Sequence, residues 1–516
     1  MALSPNYRSR LIGLIVLGAL LRLVLASVFE LGNDEVYYWT YARRLQWNYF
    51  DHPPLVGLWI RLSTWNLGFE WSEAAVRLGS ILSCAGATAL LFHTVRRVHS
   101  ARAGWYAALL YNASVYASII AGLFILPDSP QMLFWCAALH TLVSIDADPK
   151  RWKPWLLFGL LTGLTILSKV HGAFLWLGLG LYILARRRTW LARPQLYVAA
   201  LFTAALASPI LLWNIQNDFI TYRFHSGRVT VQDGIHLSGF GRELGGQFLY
   251  NNPVIVVGTV LALLALRKRR FAVREPLRLF TFIALPMIGV LLAIALFRDT
   301  LPHWSGPAWV TLLPLTAIFL ATRRERPVPR LPQHALAFTG LLVAVAIALT
   351  FAVPGTLGKK DPKELGFGDF TLDLHGWREA GPEFAALYLR EKNEGRMPAG
   401  APLVAHRWFP AAHLEYYFAA PNEIPVLGLG DLHNIHHYAW RNRFALHAMD
   451  LTKAWCVVPS NEWYDARTQF REWYAQADSV TTITQTRGGQ PARYFTVWRL
   501  SGLNKKAAVP VQGKEQ

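Results

Sequence analysis

Long apolar runs separated by short basic clusters dominate the N-terminal part of the chain. The runs lie near residues 11–29, 76–95, 104–123, 129–145, 155–168, 171–185, 195–213, 253–266, 279–297, 307–321 and 333–353. Most are about 15 to 22 residues long, which is the length that carries a helix across the hydrocarbon core of a bilayer. The pattern therefore predicts a polytopic α-helical membrane protein with about eleven transmembrane helices.

The basic clusters between these runs set the predicted orientation. They are Arg96-Arg97, Lys150-Arg151, Arg186-Arg187-Arg188, Arg267-Lys268-Arg269-Arg270 and Arg323-Arg324. Because cytoplasmic loops are enriched in lysine and arginine, we place these clusters inside. Residues 154–185 lie between two such clusters and must cross twice, which predicts two short helices that turn at residues 169–172. Loops 30–75, 127–129, 214–252 and 298–306 then face outside.

From about residue 355 the pattern changes to that of a soluble protein. Short β-type runs at 402–405, 424–427 and 454–458 alternate with helical patterns at 377–392 and 461–475. A hairpin over 480–486 and 494–500, joined at Gly488-Gly489, closes the segment. We predict a transmembrane domain over 1–354, whose external loop 30–75 carries juxtamembrane helices, and an α/β domain over 355–516 that faces the periplasm.

Composition agrees with a membrane class and argues against a nucleic-acid-binding protein. The chain is 53% hydrophobic and only 16% charged. The net charge of +19 would suit a nucleic-acid partner, but the basic residues lie in the clusters that a bilayer requires. A glycine-rich phosphate loop of the Walker type does not occur, which argues against an ATP-driven transporter. We expect a protein of the bacterial inner membrane.

Adjacent carboxylates stand at the start of the first external loop. Asp34 and Glu35 follow the first apolar run and precede a tyrosine-rich stretch. A carboxylate at this surface suits a reaction in which a general base takes the proton of an attacking hydroxyl, with Asp34 as the candidate base. The alternative, which position alone leaves equally open, is that both acids cap the helix beginning at Val36.

Two further acids carry the same ambiguity. Asp51 and His52 precede a proline pair and an amphipathic stretch that suits the membrane interface. Asp128 lies between Pro127 and Ser129 at the external end of a pair of runs. Either acid can instead cap the helix that follows it.

Cationic residues at membrane depth indicate a bound phosphate. Lys169 and His171 interrupt an apolar hairpin, where ionisable groups are costly and are usually functional. Arg298 and His303 add cationic groups at the same predicted surface, although Arg298 can simply mark the end of a span. Histidines of the C-terminal domain show no spacing of a closed metal site, so we expect no metal and no required cofactor.

Together these motifs resemble the GT-C superfamily of glycosyltransferases that use polyprenyl-phosphate sugars. Its protein O-mannosyltransferases, bacterial family 39 members and lipid A aminoarabinose transferase are the most similar groups. The motifs are Asp34-Glu35, residues 49–54, 127–129, 167–169 and 301–304, in that order. The resemblance implies an external cavity, with Asp34 as the base and Asp128, and secondarily Glu35, as further catalytic acids. Asp51, His52, Lys169, His171, Arg298 and His303 would bind the lipid phosphate and the sugar. A lysine stands near the position of His52 in the aminoarabinose transferase, and this departure leaves open both how the phosphate is recognised and which sugar is transferred.

The implied function is transfer of a sugar from polyprenyl phosphate to a hydroxyl of an envelope acceptor, with inversion. Lipid A, lipopolysaccharide, another glycan and a protein all stay open as the acceptor. The main alternative is a secondary transporter or a flippase for a lipid-linked sugar. Such proteins usually show repeated halves with binding groups at the midplane, whereas the polar motifs here lie at one face. A membrane scaffold would leave Asp34, Asp128 and Lys169 without a role.

Overall fold

The computed structural model describes residues 5–226, 234–268, 271, 275–323, 328–445, 449–504 and 509. The chain divides into two compact units. The first unit is Met1–Ser27 with Tyr41–Leu342, and the second is Val28–Thr40 with Val343–Gln516. Arg269, Arg270 and Arg324, which belong to predicted cytoplasmic clusters, lie outside the described residues, as do residues 227–233 of one predicted external loop.

The N-terminal part of the chain is almost entirely helical. Helices α1 to α15 span Pro5–Val28, Asn33–Arg43, Leu55–Ser63, Glu73–Val98, Ala101–Ala113, Asp128–Ala147, Trp152–Ser168, Phe174–Arg186, Pro194–Gln216, Ile220–Ser226, Leu237–Tyr250, Pro253–Arg267, Glu275–Ala295, Gly306–Arg323 and Arg330–Phe351. Every predicted apolar run overlaps one of these helices, but α5 ends at Ala113, so the run near 104–123 continues past it through a π-helical turn over Tyr116–Ile120. The predicted turn between α7 and α8 is confirmed, with a short 3-10 helix over Val170–Ala173.

The helices include membrane-spanning candidates, and the protein is a multi-pass membrane protein. Among the described residues, six helices are long and apolar enough to cross a bilayer, namely α1, α4, α9, α13, α14 and α15. Helices α11 and α12, bent by 97° at their junction, would make a seventh. The remaining predicted spans overlap helices that are shorter or less apolar, so the count of crossings stays a prediction.

Close packing of the first unit depends on small residues at helix contacts. Gly159 of α7 lies against α9, where an added Cβ would stand 2.5 Å from the carbonyl oxygen of Ala199. Gly178 of α8 lies against α13, where a Cβ would stand 2.4 Å from Cα of Ile283. Any larger residue would push these helices apart, as expected where helices in a membrane pack through small side chains.

The second unit contains a five-stranded mixed sheet, which confirms the predicted α/β class. Strands β1 to β5 span Leu403–Ala405, Val426–Gly428, Lys453–Pro459, Tyr474–Arg487 and Gln490–Leu503. Their order is β2-β1-β3-β5-β4. β1 is parallel to β2 and β3, whereas β5 is antiparallel to β3 and β4. The helices of this unit after α15 are α16 to α20, over Trp377–Asn393, Trp408–Leu414, Leu432–Ile435, Tyr438–Ala445 and Ala466–Gln469.

One local prediction in this unit is wrong. The helix expected over 461–475 is reduced to α20, Ala466–Gln469, and β4 already begins at Tyr474. The physical reason is the length of the hairpin, because Tyr474 pairs with Leu503 and extends the ladder well beyond the predicted hairpin. The predicted strands near 403, 426 and 454 and the helix from Trp377 are confirmed.

Candidate functional site

A buried ion pair lies at the N-terminal end of α6. Lys169 Nζ donates to Asp128 Oδ2 at 2.8 Å, and the exposed fractions of the two residues are 4% and 2%. The residue before α6, Pro127, makes no side-chain cap, and α6 begins at Asp128 itself. Asp128 therefore does not serve as the N-cap of a helix starting at Ser129. Its carboxylate is instead bound by residues that lie far from it in the sequence.

A tyrosine donates a hydrogen bond to the other oxygen of this carboxylate. The hydroxyl of Tyr116 donates to Asp128 Oδ1 at 2.8 Å, and the ring is fully buried against Gly306 at the start of α14. Tyr116 opens a π-helical turn over Tyr116–Ile120. Such turns often occur at functional sites because they re-aim a side chain. Sequence reasoning missed Tyr116, since a single tyrosine in an apolar run carries no signal of its own.

Arg22 of α1 supports the π-helical turn from a neighbouring helix. Its Nε donates to the carbonyl of Ser118 at 2.9 Å, and its Nη2 donates to Asn112 Oδ1 at 3.1 Å. A charged residue within an apolar span can either extend to the membrane surface or turn into the helix bundle. The side chain turns inward, and only 8% of it is exposed.

Two histidines lie near the Asp128–Lys169 pair, and a third lies near one of them. His303 interacts electrostatically with both Asp128 and Lys169. His171 interacts with the same two residues and also with His303 and His52. The fold thus gathers five predicted site residues, which together with Tyr116 form what we call the Asp128 cluster: His52, Tyr116, Asp128, Lys169, His171 and His303.

The neighbour of His52, Asp51, makes a different set of contacts. Its carboxylate accepts a hydrogen bond from the hydroxyl of Tyr41. Tyr41 stacks on Tyr49 with a centroid distance of 3.7 Å. The N-cap of α3 is Pro54 and makes no side-chain cap, so the alternative in which Asp51 caps this helix is not observed. Beyond α3, exposed aromatic side chains at Trp65 and Phe69 fit the predicted position in the membrane interface.

The loop that carries His303 is anchored by a buried acid that sequence reasoning missed. Glu243 of α11 is fully buried and accepts hydrogen bonds from Thr300 at 2.6 Å and from Gln247 at 2.8 Å. An acid within an apolar helical stretch was a usable signal. Arg298 is half-buried, and its backbone N–H bonds to the carbonyl of Ile294, which continues the last turn of α13. This position agrees with the alternative in which Arg298 marks the end of a span.

The acids of the first external loop lie in the second unit. Asp34 is exposed and Glu35 is buried, and both belong to the first turn of α2. Glu35 Oε2 accepts the backbone N–H of Gly32 at 2.9 Å, as a capping glutamate does. The capping alternative thus describes Glu35 well. The catalytic roles of Asp34, Glu35 and the other site residues stay predictions.

Metal-binding geometry does not occur in the part of the chain that the structure describes. Within it, no group of three or more His, Cys, Asp or Glu side chains is arranged to hold an ion. The chemistry that the residues themselves offer is a set of carboxylates and cations near the membrane.

Comparison with known proteins supports the resemblance drawn from the motifs. The family model described as dolichyl-phosphate-mannose-protein mannosyltransferase matches residues 51–213. This stretch contains Asp51, His52, Asp128, Lys169 and His171. The lipid A galacturonosyltransferase RgtD of Rhizobium johnstonii is 25% identical over 319 residues, which cover 60% of this chain and 65% of that relative's length. The chain thus spans slightly less than two thirds of the curated relative that it matches.

Solved structures identify the fold. The apo crystal structure of ArnT from Cupriavidus metallidurans aligns with a TM-score of 0.61, covering 96% of this chain and 99% of that chain at 15% identity. The fold is that of ArnT. The same protein bound to undecaprenyl phosphate aligns with a TM-score of 0.62, also at 15% identity. The ArnT fold, together with the family match and the curated relative, confirms the resemblance to the GT-C transferases that use polyprenyl-phosphate sugars.

Proposed function

We propose that this protein is a membrane glycosyltransferase that moves a sugar from a polyprenyl phosphate to a hydroxyl of an envelope acceptor. The observation that carries the proposal is the Asp128 cluster, in which a buried carboxylate–ammonium pair lies beside half-buried imidazole groups in a chain with the ArnT fold. Ionisable groups at membrane depth are costly, and proteins retain them where they bind or react.

The proposed reaction is a single displacement at the anomeric carbon. The acceptor oxygen forms a new bond to this carbon on one face while the bond to the phosphate oxygen breaks on the other, which inverts the configuration. A carboxylate takes the proton of the acceptor hydroxyl, and we assign this role to Asp34. The polyprenyl phosphate leaves with the bonding electron pair, so it needs positive charge more than it needs a proton.

Lys169 is the proposed source of that positive charge. An ammonium group has three N–H donors, and its contact with Asp128 uses one of them. The two remaining N–H groups can donate to phosphate oxygens. His52, His171 and His303 are additional donors nearby. Asp128 holds the ammonium in place through an ionic hydrogen bond in a water-poor setting, where such bonds are strong.

Undecaprenyl phosphate is the proposed carrier, and lipid A is the proposed first acceptor to test. ArnT has been crystallised with undecaprenyl phosphate bound, and RgtD is a lipid A galacturonosyltransferase. We infer that the donor here is a sugar on an undecaprenyl-type phosphate. The acceptor hydroxyl then belongs to an envelope glycolipid, with lipid A preferred over glycan or protein.

A deletion strain tests the donor and the acceptor together. Mass spectra of its lipid A and lipopolysaccharide core should lack one sugar that the parent strain carries, and a plasmid copy should restore it. Purified protein in proteoliposomes, supplied with lipid extract from the deletion strain, should then form the missing glycolipid. Movement of the lipid-linked sugar across the bilayer without transfer would instead identify a flippase and overturn the proposal.

We also propose that the C-terminal unit faces the periplasm of the inner membrane. The parity of basic clusters supports this orientation. Alkaline phosphatase, which is active only after export, should be active when fused after residue 504. If the alkaline phosphatase fusion is inactive and a fusion of a cytoplasmic reporter at the same residue is active, the orientation is reversed.

A further inference from the structure

The segment that carries Asp34 is bound into the C-terminal unit along its whole length. Residues 28–40 cluster with Val343–Gln516 rather than with the helices that flank them in sequence. Backbone and side-chain hydrogen bonds hold the segment at four points: Trp377 N–H to Glu30 at 2.8 Å, Leu31 N–H to Tyr417 at 2.8 Å, His437 N–H to Tyr37 at 3.1 Å and Arg441 to the Thr40 carbonyl at 2.9 Å. The C-terminal unit therefore provides the surroundings of the proposed base.

The residue directly before Asp34 is held by two side chains of that unit. Asn33 Nδ2 donates to Asp373 Oδ2 at 2.9 Å, and Asn33 Oδ1 lies 2.9 Å from His413 Nε2. Because the amide oxygen only accepts, His413 must carry its proton on Nε2. The histidine is fully buried and stacks on Trp377 with a centroid distance of 4.3 Å. The ring is thus fixed by packing, and its tautomer is fixed by Asn33.

We propose that the His413–Asn33–Asp373 chain positions Asp34 for catalysis, which makes His413 and Asp373 positioning residues of the transfer reaction. The inference rests on the proposed function of Asp34 as the base. It also gives the C-terminal unit a role in the reaction, because His413 and Asp373 both come from it.

The geometry explains why such a chain is needed. Asp34 lies in the first turn of a short helix, α2, directly after Asn33, so its position depends on how that turn is held. A catalytic group must be held within about 0.5 Å of its productive position, and an error of about 1 Å can cost on the order of a hundredfold in rate. Anchoring both ends of the Asn33 amide fixes the backbone at the first turn of α2. Burial keeps the pKa of His413 well below its usual value. His413 is therefore neutral at neutral pH, and its hydrogen bond to Asn33 stays intact.

Two variants break the chain in different ways. His413→Phe keeps an aromatic ring on Trp377 and removes the Nε2 donor. Asn33→Ala removes the amide at a partly exposed position, where the loss does not create a buried cavity. The matched control is His406→Phe, because His406 is also a buried histidine of this unit and packs edge-on against Tyr464 at 4.1 Å. His413→Gln, which restores an N–H donor, is the rescue variant.

Full-length protein in proteoliposomes is measured in two ways. We expect His413→Phe and Asn33→Ala to lower kcat about ten- to a hundredfold with KM for the lipid donor unchanged, and His413→Gln to recover part of this loss. Hydrogen exchange of residues 33–40 should become faster in both variants, while β3 and β5 exchange as in the wild type. His406→Phe should change neither readout.

Different measurements test the positioning role of His413 and Asp373 and the proposed glycosyltransferase function. Wild-type exchange in residues 33–40, or a wild-type kcat in both His413→Phe and Asn33→Ala, would overturn the positioning role. A wild-type protein that transfers no sugar from any polyprenyl phosphate would overturn the proposed function, whatever the exchange data show.

Discussion

Lys169 and Asp128 form an ion pair across 41 residues of sequence, with a 2.8 Å contact and less than a tenth of either side chain exposed. Moving two charges out of water is unfavourable, and their mutual attraction offsets this only while both are present. The pair is therefore poorly suited to a purely structural role. It suits a site where a third charge, such as a phosphate, arrives during the reaction.

The first prediction concerns stability. Removing one partner leaves an uncompensated buried charge, so Asp128→Ala should lower the free energy of unfolding by about 3–5 kcal/mol. The double variant Asp128→Ala with Lys169→Met should recover much of this loss, as measured by thermal unfolding in detergent. The control is Glu364→Ala, which breaks an exposed pair with Lys359 and should cost about 1 kcal/mol or less. Equal losses in the single and double variants would show that the two charges do not compensate each other.

The second prediction concerns the lipid donor. Lys169→Met should weaken binding of undecaprenyl phosphate at least tenfold, because the phosphate loses an ammonium donor in a water-poor site. Arg298→Ala tests the other predicted cation. Binding is measured with the lipid phosphate in nanodiscs, using the exposed Lys359→Ala as a charge-matched control. If Lys169→Met binds as the wild type does and Arg298→Ala does not, the phosphate is held at Arg298.

The third prediction separates two tyrosines of neighbouring turns. Tyr116→Phe removes a hydrogen bond to an ionised carboxylate, which is worth about 1.5–3 kcal/mol. Tyr111 is the matched control, because it is equally buried but its hydroxyl has no hydrogen-bond partner among the described residues. Tyr111→Phe should therefore leave stability unchanged or raise it. Similar unfolding temperatures for the two variants would contradict the assigned contact between Tyr116 and Asp128.

Some residues of the candidate site could be predicted from the sequence alone, and others could not. Asp128 and Lys169 were predictable because charged residues in apolar runs are rare and costly. Tyr116 was not, because a π-helical turn has no sequence period and its aromatic residue resembles the rest of the core. The placement of residues 28–40 with the C-terminal unit was equally hidden, since it depends on long-range hydrogen bonds from Trp377, His437 and Arg441.

The fourth prediction concerns pH. Burial and, secondarily, a nearby arginine lower the pKa of His406 and of His375 to about 4 from 6.5. Between these values the unfolded chain binds protons that the folded unit does not, so stability present above pH 6.5 is lost as the pH falls towards 4. For His406 the loss is on the order of 3 kcal/mol. Asp373 acts in the opposite direction below about pH 6, because burial raises its pKa to about 6. Burial also raises the pKa of Glu30 and Glu462, and it lowers the pKa of a third histidine, His413.

Unfolding temperatures at pH 7.5, 6 and 5 measure this dependence. The wild type should unfold at progressively lower temperature, and His406→Phe should show a shallower decline because the contribution of His406 is gone. An identical decline in His406→Phe would mean that His406 is protonated equally in the folded and unfolded chain.

The last prediction concerns Asp34, the proposed base. Asp34→Asn keeps the shape of the side chain and much of its ability to cap a helix, while it removes the group that accepts a proton. Expression and unfolding temperature should therefore stay near those of the wild type. Transfer should fall about a hundredfold or more, the usual scale for loss of a positioned general base.

Glu35→Gln is the matched comparison for that variant. The glutamine oxygen can still accept the N–H of Gly32, so the cap survives while the charge is lost. If Glu35 acts only as a cap, Glu35→Gln should transfer sugar within a few-fold of the wild-type rate. The reverse pattern, an active Asp34→Asn and an inactive Glu35→Gln, would make Glu35 the base. If both variants are active, neither acid of the first loop takes the proton. Asp128 would then be the better candidate, and Asp128→Asn, which keeps an oxygen for the Tyr116 hydroxyl, would be the variant to assay.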